Sequence, residues 1–159
     1  MENKRYKRIF VTIALIGALL TFGTGINKAH AGYLYESALQ SAYAGYHQGL
    51  GEYYTSYALY YGTTSTLPDA YSYQNAAYSY AYYAWLYASY SGVTGAYEAY
   101  VYAGYAYDYF YYSQLYAYYA WAYNDVYYSY LSTYYGGLGA YYIALSQYYA
   151  GVYCYGGNY

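Results

Sequence analysis

AYEAYVYAGYAYDYFYYSQLYAYYAWAYN, residues 96–124, decides the fold. Stepping through it by 3 and 4 alternately gives Ala96, Ala99, Ala103, Ala106, Phe110, Ser113, Ala117, Ala120 and Asn124. Nearly everything between is Tyr, and Gly104 and Ala122 are the small residues off the stripe. A small-residue stripe with a 3.5-residue period is the seam of a helix packed on other helices. The competing reading is β, because Tyr favours strands and is mediocre in helices. Alternating patches such as Tyr105-Ala106-Tyr107-Asp108-Tyr109 are short, and the doublets Tyr111-Tyr112 and Tyr118-Tyr119 break them. Alanine, the best helix former, keeps the longer period.

Working outward, Ala70, Gln74, Ala77, Ala81, Ala84, Ala88 and Ser91 repeat the seam. Thr66 or Leu67 is placed to cap that helix, with Pro68 and Asp69 in its first turn. Gly95 is the expected cap of the 96–124 helix. Tyr80-Ala-Tyr-Tyr-Ala-Trp-Leu-Tyr87 returns as Tyr116-Ala-Tyr-Tyr-Ala-Trp-Ala-Tyr123, an offset of 36 residues. The two helices are versions of one unit, and Trp85 and Trp121 are expected to flank its interface as packing residues.

The flanking segments are less regular. Gly32 to Tyr61 offers Ala38, Ala42, Gly45, Gly49, Glu52, Ser56 and Leu59 as a seam. After Asn124-Asp125 the small residues change phase to Ser129, Ser132 and Gly136, which predicts a kink or break. Gly136-Gly137-Leu138-Gly139 reads as a turn, and Ala140, Ala144, Gln147 and Gly151 as a last short helix. The expected fold is all-α: an antiparallel bundle of about four helices with an Ala/Ser/Gly seam and Tyr-covered faces. It spans residues 32–154, followed by a flexible tail at 155–159.

Residues 1–31 read as a signal peptide. Lys4, Arg5, Lys7 and Arg8 precede an apolar run from Ile9 to Phe22, and Ala29-His30-Ala31 supplies small residues for cleavage between Ala31 and Gly32. Fourteen residues fall short of the ~20 that a membrane span needs. The mature chain is then exported from a bacterium to the periplasm, the cell surface or the exterior. All five basic residues lie at or before Lys28, so residues 32–159 keep six carboxylates and no Lys or Arg, a formal charge of −6. Nucleic acid is excluded as a partner, because phosphate binding rests on Lys and Arg.

The chain has 42 Tyr, of which only Tyr6 precedes the cleavage point. Buried phenols need partners for their hydroxyls, and six carboxylates cannot serve so many. The rings are therefore expected to lie on neighbours with their hydroxyls in water. No catalytic, cofactor or metal set is legible, and an enzyme is not expected. His47 reads as a helix-surface residue, and Glu52 as a seam carboxylate that burial would push up in pKa. Cys154, a lone cysteine near the end, reads as a free thiol or an intermolecular disulfide. The expected role is a structural or self-assembling protein of a coat, sheath or matrix, whose partner is itself or another extracellular protein. The alternatives are a redox-active Tyr/Trp protein and an aromatic-surface module for glycans or flat apolar ligands.

Overall fold

The computed structural model describes residues 28–92 and 96–155. Four helices account for nearly all of them: α1 (Lys28–Tyr61), α2 (Leu67–Tyr90), α3 (Tyr97–Tyr123) and α4 (Tyr127–Tyr155). Each packs on the next, and α4 closes the ring against α1. Every neighbouring pair is antiparallel, as the contacts show. Ser37 and Thr66 of the α1–α2 pair bond Ala84 and Tyr54, so numbers rise on one helix as they fall on the other. In α3–α4, Ser146 meets Ala99 while Ser132 meets Ser113. The result is an up-down-up-down four-helix bundle.

The breaks between helices follow local chemistry. Gly62 takes a left-handed backbone at φ 61° after α1, and Gly92 does so at φ 59° after α2, a conformation that costs glycine little. Thr66 is the N-cap of α2, with Pro68 in the first turn and Asp69 at the positive end of the dipole. Asn124 closes α3 in the left-handed region at φ 53°, one of the few non-glycine residues that do so readily. Asp125 Oδ1 then accepts a hydrogen bond from Tyr127 N–H at 2.9 Å and starts α4. The change of phase after Asn124 is thus a full break. Ala96 is the N-cap of α3; Gly95, the expected cap, lies outside the described residues.

The core is made of small residues. Ala70, Gln74, Ala77, Ala81, Ala84 and Ala88 of α2 are buried, as are Ala99, Ala103, Ala106, Phe110, Ser113, Ala117 and Ala120 of α3, with Ala96 at its cap. Asn124, the last position of that stripe, is exposed as a cap. Serines pin the neighbours together. Ser37 Oγ donates to the Ala84 carbonyl at 2.9 Å, Ser146 Oγ to the Ala99 carbonyl at 2.9 Å, and Ser113 and Ser132 each donate to the other's carbonyl. A hydroxyl on a one-carbon stem reaches a neighbouring backbone only where two helices approach closely, which is what a small-residue seam permits.

The outer helices correct two expectations. In α1 the buried line runs Leu34, Ser37, Ser41, Ala44, Gln48, Gly51, Thr55 and Ala58. The stripe Ala42, Gly45, Gly49, Glu52, Ser56 and Leu59 lies one position further round, half-buried or exposed. In α4, Gly136-Gly137-Leu138-Gly139 is not a turn; the helix passes through it unbroken. Gly136 and Gly139 are buried holes: a Cβ on the first would collide with the Gln48 amide, and on the second with the Phe110 ring. The buried line of α4 is Ser129, Ser132, Gly136, Gly139, Ile143, Ser146, Ala150 and Cys154, again one position from the expected Ala140, Ala144, Gln147 and Gly151. Helix α4 runs on to Tyr155, which was expected to open the tail; residues 156–159 lie outside the described part.

Candidate functional site

No described tyrosine is buried; each is half-buried or exposed, from Tyr60 at 82 % downward. Their placement is set by the seam. A residue one position before or after a buried one lies beside the groove between two helices. On α4 the positions facing α3 are Tyr128, Tyr135, Tyr142 and Tyr149, one every seven residues. Tyr142 lies parallel to Tyr109 with ring centres 5.4 Å apart, and also touches Tyr102 and Tyr105. Tyr135 stacks on Tyr116 at 5.5 Å.

The groove between α2 and α3 carries both tryptophans, and the sequence repeat becomes geometry there. Trp85 stacks on Tyr107 at 6.4 Å and Trp121 on Tyr71 at 5.7 Å. Tyr82 packs on Tyr107 at 5.8 Å and Tyr118 on Tyr71 at 5.7 Å. Each second pair is the first with the two helices exchanged and the numbers moved by 36. An antiparallel pair built from two copies of one sequence acquires a local two-fold axis, and these contacts display it. Gly104 admits Trp85, whose Cδ1 lies 3.4 Å from where a Cβ would stand.

Tyr78 breaks that symmetry. Its hydroxyl is 2.6 Å from the hydroxyl of Tyr107, with the rings stacked at 4.8 Å. Burial, and then the Tyr107 hydroxyl and its charge, push the Tyr78 phenol up to about 12. The two rings line a cleft of about 280 Å³ with Ser79, Tyr82 and Tyr83.

Between α1 and α2 the groove holds His47, stacked on Tyr80 at 5.1 Å and on Tyr73 at 5.9 Å. The expectation of a helix-surface histidine is corrected: the ring is half-buried, burial lowers its pKa, and Nδ1 is buried without a hydrogen-bond partner among the described residues. Glu52 faces the fourth groove, between α1 and α4. Its Oε1 accepts from Gln48 Nε2 at 3.1 Å and lies 4.0 Å from where a Cβ on Gly137 would stand. Burial raises its pKa and the Gln48 bond offsets part of the rise.

Cys154 is buried at the end of α4 with Leu34, Ala38, Ala96, Ala99 and Ala150. Its thiol is 3.8 Å from the Ala31 carbonyl, and burial pushes its pKa up. It is a free thiol in the structure. Ala31 and Gly32 sit in the first turns of α1, and Ala31 packs on the same cluster. The seam residues Ala96, Ala99, Ala103, Ala106, Ala117 and Ala120 are buried between helices and present nothing to a ligand.

Among the described residues no group of His, Cys, Asp and Glu is arranged to hold a metal ion, and no helix is long and apolar enough to cross a membrane. Comparison with protein-family models, curated proteins and solved structures finds no match. The sites that sequence reasoning missed are the Tyr78–Tyr107 pair and the ring stacks of the grooves. The seven-residue spacing of Tyr128, Tyr135, Tyr142 and Tyr149 was the available signal.

Proposed function

We propose that this is an exported structural or self-assembling protein, a component of a coat, sheath or extracellular matrix, which acts through its exposed tyrosines. The carrying observation is the separation of jobs between residue types. The buried seams are mostly Ala, Ser and Gly, phenols such as Tyr78, Tyr107 and Tyr142 lie half-buried against them, and Tyr60, Tyr97, Tyr123, Tyr127 and Tyr148 are each more than 60 % exposed. Exposed aromatic surface on this scale marks an interface in other proteins. Residues 32–159 also lack lysine, so side-chain amines are not available for covalent linkage, whereas phenols are plentiful.

The test is light scattering with negative-stain imaging on the exported protein across a range of concentrations. Defined oligomers or filaments are expected. A strict monomer at every concentration, alone and with its culture supernatant, would overturn the reading. Intact mass of the same material reports processing: a chain starting at Gly32 is expected, and one starting at Met1 would remove the export argument. A second reading, a module binding flat apolar rings or glycans, draws on the cleft beside Tyr78 and Tyr107. Titration of intrinsic fluorescence with such ligands separates it from assembly.

A further inference from the structure

The rings of the α2–α3 groove form a connected series rather than isolated pairs. At one end Tyr97 touches Tyr100 at 6.3 Å, Tyr100 stacks on Trp85 at 5.7 Å, and Trp85 stacks on Tyr107. Tyr107 passes to Tyr78 at 4.8 Å, and Tyr78 to Tyr111 at 6.0 Å. There the series changes groove: Tyr111 touches Tyr112 at 5.4 Å, and Tyr112 touches Tyr135 of α4 at 5.3 Å. Tyr135 stacks on Tyr116, which leads through Tyr119 at 6.2 Å to Tyr123 at 5.7 Å. The series spans the 27 residues of α3, about 40 Å at 1.5 Å per residue.

Two features make this more than crowding. Among the described residues, the ring contacts that join the Tyr97 half to the Tyr123 half all pass through Tyr78 and Tyr111. And no described tyrosine hydroxyl is both buried and unpartnered, so each phenol has water or a hydrogen-bond partner with which to exchange its proton. Phenols and indoles, like thiols, are protein side chains that yield one electron at accessible potentials, and a phenol does so only if its proton leaves with the electron.

We propose that this series relays an oxidising equivalent along the bundle, with Tyr78 and Tyr111 as the obligatory stations. A high-potential one-electron oxidant, such as the ferryl haem of a peroxidase, takes an electron from a ring at the Tyr97 end, and that phenol releases its proton to water. The phenoxyl radical then takes an electron from the next ring and a proton from water, while that next ring loses its own electron and proton. Trp85 passes the electron as an indole radical in the same way. After the last step the oxidant is reduced by one electron, one proton is in solution, and a phenoxyl stands at the far end. No bond between residues forms or breaks in the relay. The proposal does not depend on assembly, because an isolated bundle contains the whole series.

The test places the oxidant at one end and reads the other. Tyr97→Cys in a Cys154→Ser background is labelled with a ruthenium tris-bipyridyl maleimide and flash-oxidised with a cobalt(III) quencher. A nitroso spin trap marks radicals, and peptide mass mapping locates them. Adducts on Tyr118, Tyr123 and Tyr127 are expected in a yield independent of protein dilution. Tyr78→Phe combined with Tyr111→Phe should lower that yield tenfold or more while adducts on Tyr82, Tyr100 and Tyr107 persist. Tyr90→Phe, whose ring touches Tyr33 instead, should leave it unchanged. Circular dichroism of the labelled variants confirms that each remains folded. Far-end adducts that are absent in the parent, or undiminished in the double variant, overturn the relay.

Discussion

The groove between α2 and α3 and the groove between α1 and α4 are built on the same backbone arrangement and covered differently. The first is flanked by Tyr71, Tyr78, Tyr82 and Trp85 on one side and Tyr100, Tyr107, Tyr111, Tyr118 and Trp121 on the other. The second is flanked by Ala42, Gly45, Gly49, Glu52 and Ser56 on α1 and by Gly137, Ala140, Ala144, Gln147 and Gly151 on α4. Contacts fix that side of each helix: Thr55 and Thr133 share a hydrogen bond at 2.9 Å, Gly45 faces Ile143, and Gly137 faces Glu52. The α1–α4 pair still packs along its length, with Ser41 Oγ donating to Ser146 Oγ at 3.4 Å near one end and Thr55 meeting Thr133 near the other. Tyrosine cover is therefore not a requirement of helix packing in this bundle. What the α2–α3 groove has in addition is surface chemistry.

If both grooves depend on the seam, the largest effects come from filling it. Gly139→Leu drives a side chain into Phe110 and is expected to cost more than ~3 kcal/mol, at or beyond the top of the range for overpacking. Loss of the cooperative denaturation transition would be the observation. A variant as stable as the parent would mean that α4 does not meet α3 as described. Next is Ala117→Leu, at a buried seam position, against Ala122→Leu, at an exposed one. A difference of ~1–3 kcal/mol in chemical denaturation is expected, with Ala117→Leu the weaker. Equal midpoints would put the seam and the cover on the same footing.

The cover should matter less. Tyr107→Phe removes the 2.6 Å hydroxyl pair and is expected to cost ~0.5–1.5 kcal/mol at neutral pH. Its pH dependence is sharper. Tyr78 is raised to about 12 in the folded chain from an unfolded value near ~10. Its contribution is fully present below about pH 10 and is lost as pH rises through about 12. Two of the raising causes come from Tyr107, so the variant's late phenolate step, followed by ultraviolet absorbance, should move to lower pH. An unmoved step would leave burial, with the charges of Tyr111 and Asp108, as the cause.

The smallest effect belongs to the bare groove. Glu52 is raised by burial, so it favours folding when protonated and loses that contribution as pH rises through its folded pKa. Glu52→Gln should therefore stabilise the bundle at pH 7 by less than ~1 kcal/mol and leave it unchanged well below the carboxyl range. A clear loss at pH 7 would show that the carboxylate is a structural group, and the two grooves would differ less than described.

The same comparison explains what was legible in the sequence. In α2 and α3 the small residues occupy the seam and aromatics occupy the flanks, so size alone separates inside from outside. In α1 and α4 the small residues occupy both the seam and the adjoining bare groove. Size then fails as a signal: Ala38 of α1 and Ser129, Ser132 and Gly136 of α4 are buried as expected, but the rest of each stripe chosen from the sequence was the groove lining, one position off. Gln48 and Thr55 compound the error, being polar residues that are fully buried. The glycines of α4 were misread for a related reason. A run of three within four residues suggests a turn, and nothing local announces that Gln48 and Phe110 arrive from other helices to fill the spaces at Gly136 and Gly139. The Tyr78–Tyr107 pair was hidden among so many identical residues, because its distinction is a hydroxyl distance and not a residue type.

The local two-fold axis between α2 and α3 also relates one half of the groove to the other. An antiparallel helix pair whose halves share a sequence is the arrangement that two separate copies of one helix adopt when they dimerise face to face. Here the two copies lie in one chain, so a position in one can differ from its counterpart in the other. Position 78 does differ: its counterpart 36 residues on is Gln114, and the hydroxyl pair exists on one side of the axis alone. The repeated sequence thus accounts for the symmetric contacts of the two tryptophans, and the difference between Tyr78 and Gln114 for a hydroxyl pair and cleft at one end of the groove alone.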